Sequence, residues 1–137
     1  LGDLDAALAE FDAALAVDAR HVDTLISRGA VYQLSGDAER ALTDYDTALR
    51  IDADNPDALS SRATLHLTTN HYDEAVADLD RALELDPENA LNYFQRAAPH
   101  AARGQRDSAI ADLREALALQ PSFQEAAEAL AQLGAAR

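Results

Sequence analysis

The sequence has no cysteine, methionine, tryptophan or lysine, and aromatic residues make up only 5% of it. Without cysteine there is no disulfide framework and no thiolate metal site. Without many large aromatics, a core has to be built from small and aliphatic side chains, which Ala and Leu supply. No apolar run approaches the roughly 18 residues that a membrane-spanning helix needs. Basic side chains number 11, all arginine, against 25 acidic ones, for a formal charge of −14. A surface of that sign repels phosphate backbones, so nucleic acid is not an expected partner, whereas basic or neutral peptides and proteins are. The same charge keeps an Ala-rich helical array dispersed. With 48% hydrophobic and 26% charged residues, the 137-residue chain has the composition of a packed, all-α protein. No targeting segment is visible, and the cytoplasm is the expected location. The chain begins with Leu1 rather than Met, at a Leu-Gly-Asp turn signal, and is expected to be a piece of a longer polypeptide.

What the sequence does contain is a period. Residues 71–87 recur 34 positions upstream at 37–53, again at 3–19, and downstream at 105–121, without insertion or deletion. Within each copy the apolar residues step by three and four, as on one face of a helix. The spacing predicts helices over 3–17, 22–34, 38–51, 56–69, 72–85, 90–102, 106–119 and 122–133. Gly36, Asn70 and Gly104 stand where a helix must end in the left-handed region, Asp37 is placed to cap the helix after it, and Gly134 closes the last one. Gly2 reads as the glycine that ends an earlier helix. The last helix has one apolar side, with Phe123, Ala126, Ala127 and Leu130, and one polar side, as a terminal cap requires. Pro99, inside a predicted helix, removes one backbone hydrogen bond and should make that segment the least regular.

A 34-residue helix-turn-helix unit with small residues in two columns, a large residue between them and Asp-Pro near its end resembles the tetratricopeptide repeat. The small columns are Gly29, Ala63, Ala97 and Ala41, Ala75, Ala109, and Tyr45, Leu79 and Leu113 fill the space beyond them. The resemblance implies a right-handed α-α solenoid forming one domain over 1–137. It would consist of a half unit (1–21), three units (22–55, 56–89, 90–121) and a capping helix (122–137). Leu25, Leu59 and Tyr93 stand where the family often has Trp, and His66 and His100 replace its usual Tyr, which is kept at Tyr32.

Little in the chain points to catalysis or metal binding. Arg28, Arg62 and Arg96 each lie 16 residues before Asp44, Asp78 or Asp112, a register that predicts a repeated structural ion pair. His66 and His71 are five apart and point to different faces, so His66 and His100 are expected at helix interfaces rather than on a metal. Residues 52–57 begin like a calcium loop but lack its glycine and its closing glutamate. There is no nucleophile elbow, phosphate loop or dinucleotide fingerprint. The chain is therefore expected to be non-enzymatic and free of cofactors and metals.

The resemblance implies that first helices line a concave groove for a peptide or partner helix. By position that groove takes Asp23, Ile26, Ser27, Ala30 and Gln33 from one helix and Asp57, Ser60, Ser61, Thr64 and Leu67 from the next. The third helix adds Leu91, Phe94, Gln95 and Ala98, with Phe94 as the expected aromatic anchor. One subclass of the family grips a carboxylate with Lys, Arg and Asn. Here Ile26, Ala30, Ser61, Thr64, Leu91 and Gln95 occupy those places, so the clamp is absent. The expected function is a protein–protein interaction scaffold. The alternatives are a self-associating array, through an apolar face at Leu4, Leu8, Phe11 and Leu15, or the substrate-recruiting arm of a larger enzyme.

Overall fold

A computed structural model describes residues 2–135. They form eight helices: α1 (Gly2–Val17), α2 (Val22–Leu34), α3 (Ala38–Ile51), α4 (Pro56–Thr68), α5 (Tyr72–Leu85), α6 (Ala90–Ala102), α7 (Arg106–Leu119) and α8 (Gln124–Gln132). No strand occurs among the described residues. The described residues divide into two compact units between Leu65 and His66, within α4. In the first, α2 packs against both α1 and α3. In the second, α6 packs against α5 and α7, and α8 packs against α7.

Helix ends follow local chemistry. Gly36, Asn70 and Gly104 take positive φ of 81°, 64° and 76°. At each, two backbone N–H groups turn back onto carbonyls of the finished helix. Gly36 N–H donates to Gln33 and Asp37 N–H to Tyr32. Asn70 N–H donates to Leu67 and His71 N–H to His66, while Gly104 N–H donates to Ala101 and Gln105 N–H to His100. This double closure satisfies carbonyls that the helix leaves unpaired, and only Gly or Asn adopts its backbone cheaply. It also ends α4 at Thr68 rather than at Thr69, which the spacing had included. Asp37 caps α3 by accepting from the Arg40 N–H at 3.1 Å. Gly2 opens α1 instead of standing before it, and is not among the residues with positive φ. Helix α8 starts two residues later than the spacing indicates, because Phe123 takes the N-cap position. Helix α6 runs unbroken through Pro99, whose ring is fully buried.

The core is made by close approach of small residues. In the first unit Ala41 and Ala48 are completely buried and Tyr45 is 1% exposed. Gly29 lies against that ring so closely that an added Cβ would stand 2.6 Å from Tyr45 Cε1. In the second unit Ala97, Ala109, Leu113 and Ala116 form the equivalent contact, and Ala126 and Leu130 of α8 complete it with no exposed surface. Burying a leucine fully contributes about 1.5–3 kcal/mol, so two such side chains per helix pair outweigh the weak helix preferences of the turns.

Candidate partner-binding face

Each described unit has an arginine fastened between three helices. In the first, Arg28 on α2 meets Asp44 on α3 through two parallel bonds, Nε to Oδ2 at 2.8 Å and Nη2 to Oδ1 at 2.7 Å. Its third nitrogen, Nη1, reaches Asp12 on α1 at 2.9 Å. In the second, Arg96 on α6 meets Asp112 on α7 at 2.9 and 2.6 Å and Asp80 on α5 at 2.8 Å. Asp44 and Asp112 are buried, at 3% and 5% exposure. Hydrogen bonding to these aspartates is the main influence holding Arg28 and Arg96 charged beyond the ordinary guanidinium range, against the opposing effect of burial. The forward spacing of 16 anticipated Asp44 and Asp112. Asp12 and Asp80 were missed, and with them Asp46, whose Oδ1 takes Arg62 Nη1 at 2.9 Å. Their signal was present, because Asp12, Asp46 and Asp80 keep the same 34-residue period.

These pairs settle the inward side of the first helices and leave another side open. On α2, Leu25 and Gly29 are buried, Asp23 and Ser27 are exposed, and Ile26, Ala30 and Gln33 are half-buried. On the α4 residues of the first unit, Leu59 and Ala63 are buried, Asp57 and Thr64 are exposed, and Ser60 and Ser61 are half-buried. Thr64 turns its hydroxyl back onto the Ser60 carbonyl at 3.0 Å. On α6, Leu91 and Ala98 are exposed, and Phe94 and Gln95 are half-buried. Phe94 does not stand alone, for its ring lies 4.9 Å from that of Phe123. Leu67 is half-buried in the second unit. In the first unit the open side thus carries mostly short side chains, and on α6 it carries Leu91, Phe94 and Gln95 beside Ala98.

Helices α2 and α3 are joined at one hydroxyl, where Tyr45 donates to Gln33 Oε1 at 2.9 Å. Burial pushes the Tyr45 hydroxyl up from its ordinary value, Ser61 opposes this, and the charge of Asp44 adds to it. Helix spacing gave no hint of this link. Elsewhere, His100 holds Gln105 at 2.7 Å and lies 3.6 Å from Asp112, and the His66 and His71 rings meet edge-on at 5.8 Å. Among the described residues no group of three His, Cys, Asp or Glu is placed to hold a metal ion, and no helix is long and apolar enough to cross a membrane.

The sequence pattern of the Tetratricopeptide repeat matches residues 32–98, and a second pattern of the same description matches residues 1–56. No curated protein matches the chain. Among solved structures, MamA is similar with a TM-score of 0.88 at 22% identity, over 96% of this chain and 77% of that one. The first TPR of Spaghetti (RPAP3), solved with the HSP90 peptide SRMEEVD, has a TM-score of 0.79 at 24% identity, over 85% and 93% of the two chains. The O-GlcNAc transferase of Thermobaculum terrenum is similar at 31% identity and a TM-score of 0.77, over 85% of this chain but only 22% of its own. With helices paired at that period and small residues at each close approach, the fold is an all-α helical-repeat solenoid, and the chain belongs to the tetratricopeptide repeat family.

Proposed function

We propose that the chain is a non-catalytic scaffold that binds an extended peptide or a partner helix along the open side of its first helices. The observation that carries this reading is the division of α2, α4 and α6 into a buried packing side and an open side. On α2 and α4 the open side holds mostly short side chains that let a ligand backbone come close, and on α6 it offers the apolar Leu91 and Phe94. The family and the peptide held by the RPAP3 repeat domain support it. That peptide carries three acidic residues, whereas the open side here has Asp23 and Asp57 exposed and no cation at Ile26, Ala30, Ser61, Thr64, Leu91 or Gln95. The preferred partner is therefore neutral or basic, drawn in by the net charge of −14.

Ser27→Arg and Ala98→Arg place a long side chain on an exposed position of each unit. Against an immobilised library of neutral and basic dodecapeptides, each should lower capture about tenfold, or ~1.4 kcal/mol, with unchanged thermal unfolding. Binding that survives both changes overturns the reading. A second reading, a recruiting arm within a larger enzyme, has the O-GlcNAc transferase similarity in its favour.

A further inference from the structure

One notch recurs where a second helix hands over to the next first helix, and the 34-residue period puts residue 59, 93 or 127 at its centre. In the second unit Tyr93 of α6 occupies it. The Arg96 guanidinium lies over the ring, with Cζ 5.7 Å from the ring centre, and the Tyr93 hydroxyl donates to the Pro87 carbonyl at 3.1 Å. The tyrosine therefore spans from a gripped arginine to the loop between α5 and α6.

In the first unit the central residue is Leu59, which has neither the ring nor the hydroxyl to make that span. A cavity of about 440 Å³ stands there, lined by Asp46, Leu49 and Arg50 of α3, Ala53 of the loop after it, and Leu59 and Arg62 of α4. The rest of the seat is kept. Arg62 is held by Asp46 at 2.9 Å as Arg96 is held by Asp80 at 2.8 Å. The Ala53 carbonyl, in the place of the Pro87 carbonyl, receives no hydrogen bond from any described residue. Leu49 and Leu59, 9% and 3% exposed, give an apolar floor. Between α7 and α8 the central residue is Ala127, and a cavity of about 420 Å³ opens against Arg114, Leu117, Ala118 and Pro121, which hold the places of Asp46, Leu49, Arg50 and Ala53. An opening thus recurs where the tyrosine is missing, but there Leu130 replaces the arginine that would cover a ring.

We propose that the notch between α3 and α4 binds a tyrosine side chain of a partner protein, seated as Tyr93 seats itself in the second unit. The ring rests on Leu49 and Leu59, the Arg62 guanidinium covers its face, and the phenol donates to the Ala53 carbonyl. A leucine in the notch would leave that carbonyl unbonded and offer the guanidinium no π-face, and a phenylalanine would lack the donor. A lysine or arginine would meet the like charges of Arg50 and Arg62. No lining residue belongs to the open side of the first helices, so this site is separate from the one proposed above and stands or falls without it.

The test is a titration of the whole chain with N-acetyl-tyrosinamide, followed by the NMR signals of leucine methyl groups, with the phenylalanine and leucine analogues alongside. The tyrosine compound should shift Leu49 and Leu59 and bind about fivefold more tightly than the phenylalanine one. Leu59→Tyr supplies the ring from within, so it should abolish the Leu49 shift without lowering the midpoint of thermal unfolding. Tyr93→Leu should open the equivalent notch and add a second response at Leu83. No shift at Leu49 and Leu59, a Leu49 shift that survives Leu59→Tyr, or equal binding of the leucine compound overturns the site. Equal binding of the phenylalanine compound overturns the role of the hydroxyl and with it the choice of tyrosine. A wild-type dimer in sedimentation that Leu59→Tyr dissociates gives the notch to a second copy of the chain and overturns the assignment to a partner.

Discussion

The helix pairs α2–α3 and α6–α7 are the same design in register, and they differ in what fills the middle. Both carry a buried aspartate clasped by an arginine, Asp44 with Arg28 and Asp112 with Arg96. In the first pair the large residue is Tyr45 and the facing small one is Gly29, while in the second they are Leu113 and Ala97. A larger ring has been accommodated by a smaller neighbour, so helix spacing is kept by trading volume across the contact. The trade has a side effect, since a ring with a hydroxyl ties α3 to Gln33 on α2 and a leucine ties nothing polar.

If the ion pairs are the shared part of the design, Arg28→Ala and Arg96→Ala should be the most damaging changes and should cost alike. Each strands a buried carboxylate, a loss of about 3–5 kcal/mol in denaturant unfolding. A large difference between the two would break the equivalence. Asp12→Ala and Asp80→Ala remove only the exposed partner, at 58% and 51% side-chain exposure, and should cost no more than about 1 kcal/mol.

The volume trade predicts the next largest effect. Gly29→Ala should destabilise by about 1–3 kcal/mol despite the ~1 kcal/mol by which alanine favours a helix, because its Cβ meets the Tyr45 ring. Adding Tyr45→Leu should recover most of that loss, measured as the midpoint of thermal unfolding. Ala97→Gly should cost about 1 kcal/mol through helix preference, with no steric relief to offset it.

The hydroxyl gives the smallest and most selective signal. Burial raises the Tyr45 pKa in the folded state above its unfolded value, so its contribution is whole below about pH 10 and is lost as pH rises through the folded value. Unfolding free energies compared between about pH 8 and pH 11 should therefore fall more steeply for the wild type than for Tyr45→Phe. Equal slopes would remove Tyr45 from the alkaline response.

The helices were legible because their ends rest on single residues, Gly36, Asn70 and Gly104, whose backbone freedom the sequence announces. The pairing of Arg28 with Asp44 was legible for a similar reason, as both partners lie in one 34-residue unit. Asp12 was harder to assign, since its role depends on α1 packing against α2, and a period shows that residues recur without showing which neighbour they meet. The bond of Tyr45 to Gln33 was not legible at all, because it needs two helices set at a known separation. Phe94 illustrates the same limit, its ring resting against Phe123 across 29 residues of chain.

The double grip of Arg28 and Arg96 has a consequence for the length of such a chain. Each arginine draws one carboxylate from 16 residues before it and one from 16 residues after. A block of 34 residues removed or added in register therefore carries no orphaned charge at its joints, and deleting 22–55 would simply bring Asp12 to the place of Asp46 beside Arg62. The array can change its number of units by whole-block exchange without re-solving its electrostatics. At the next place in the period Leu130 replaces the arginine and Arg114 the preceding aspartate, so this double grip is not repeated on α8.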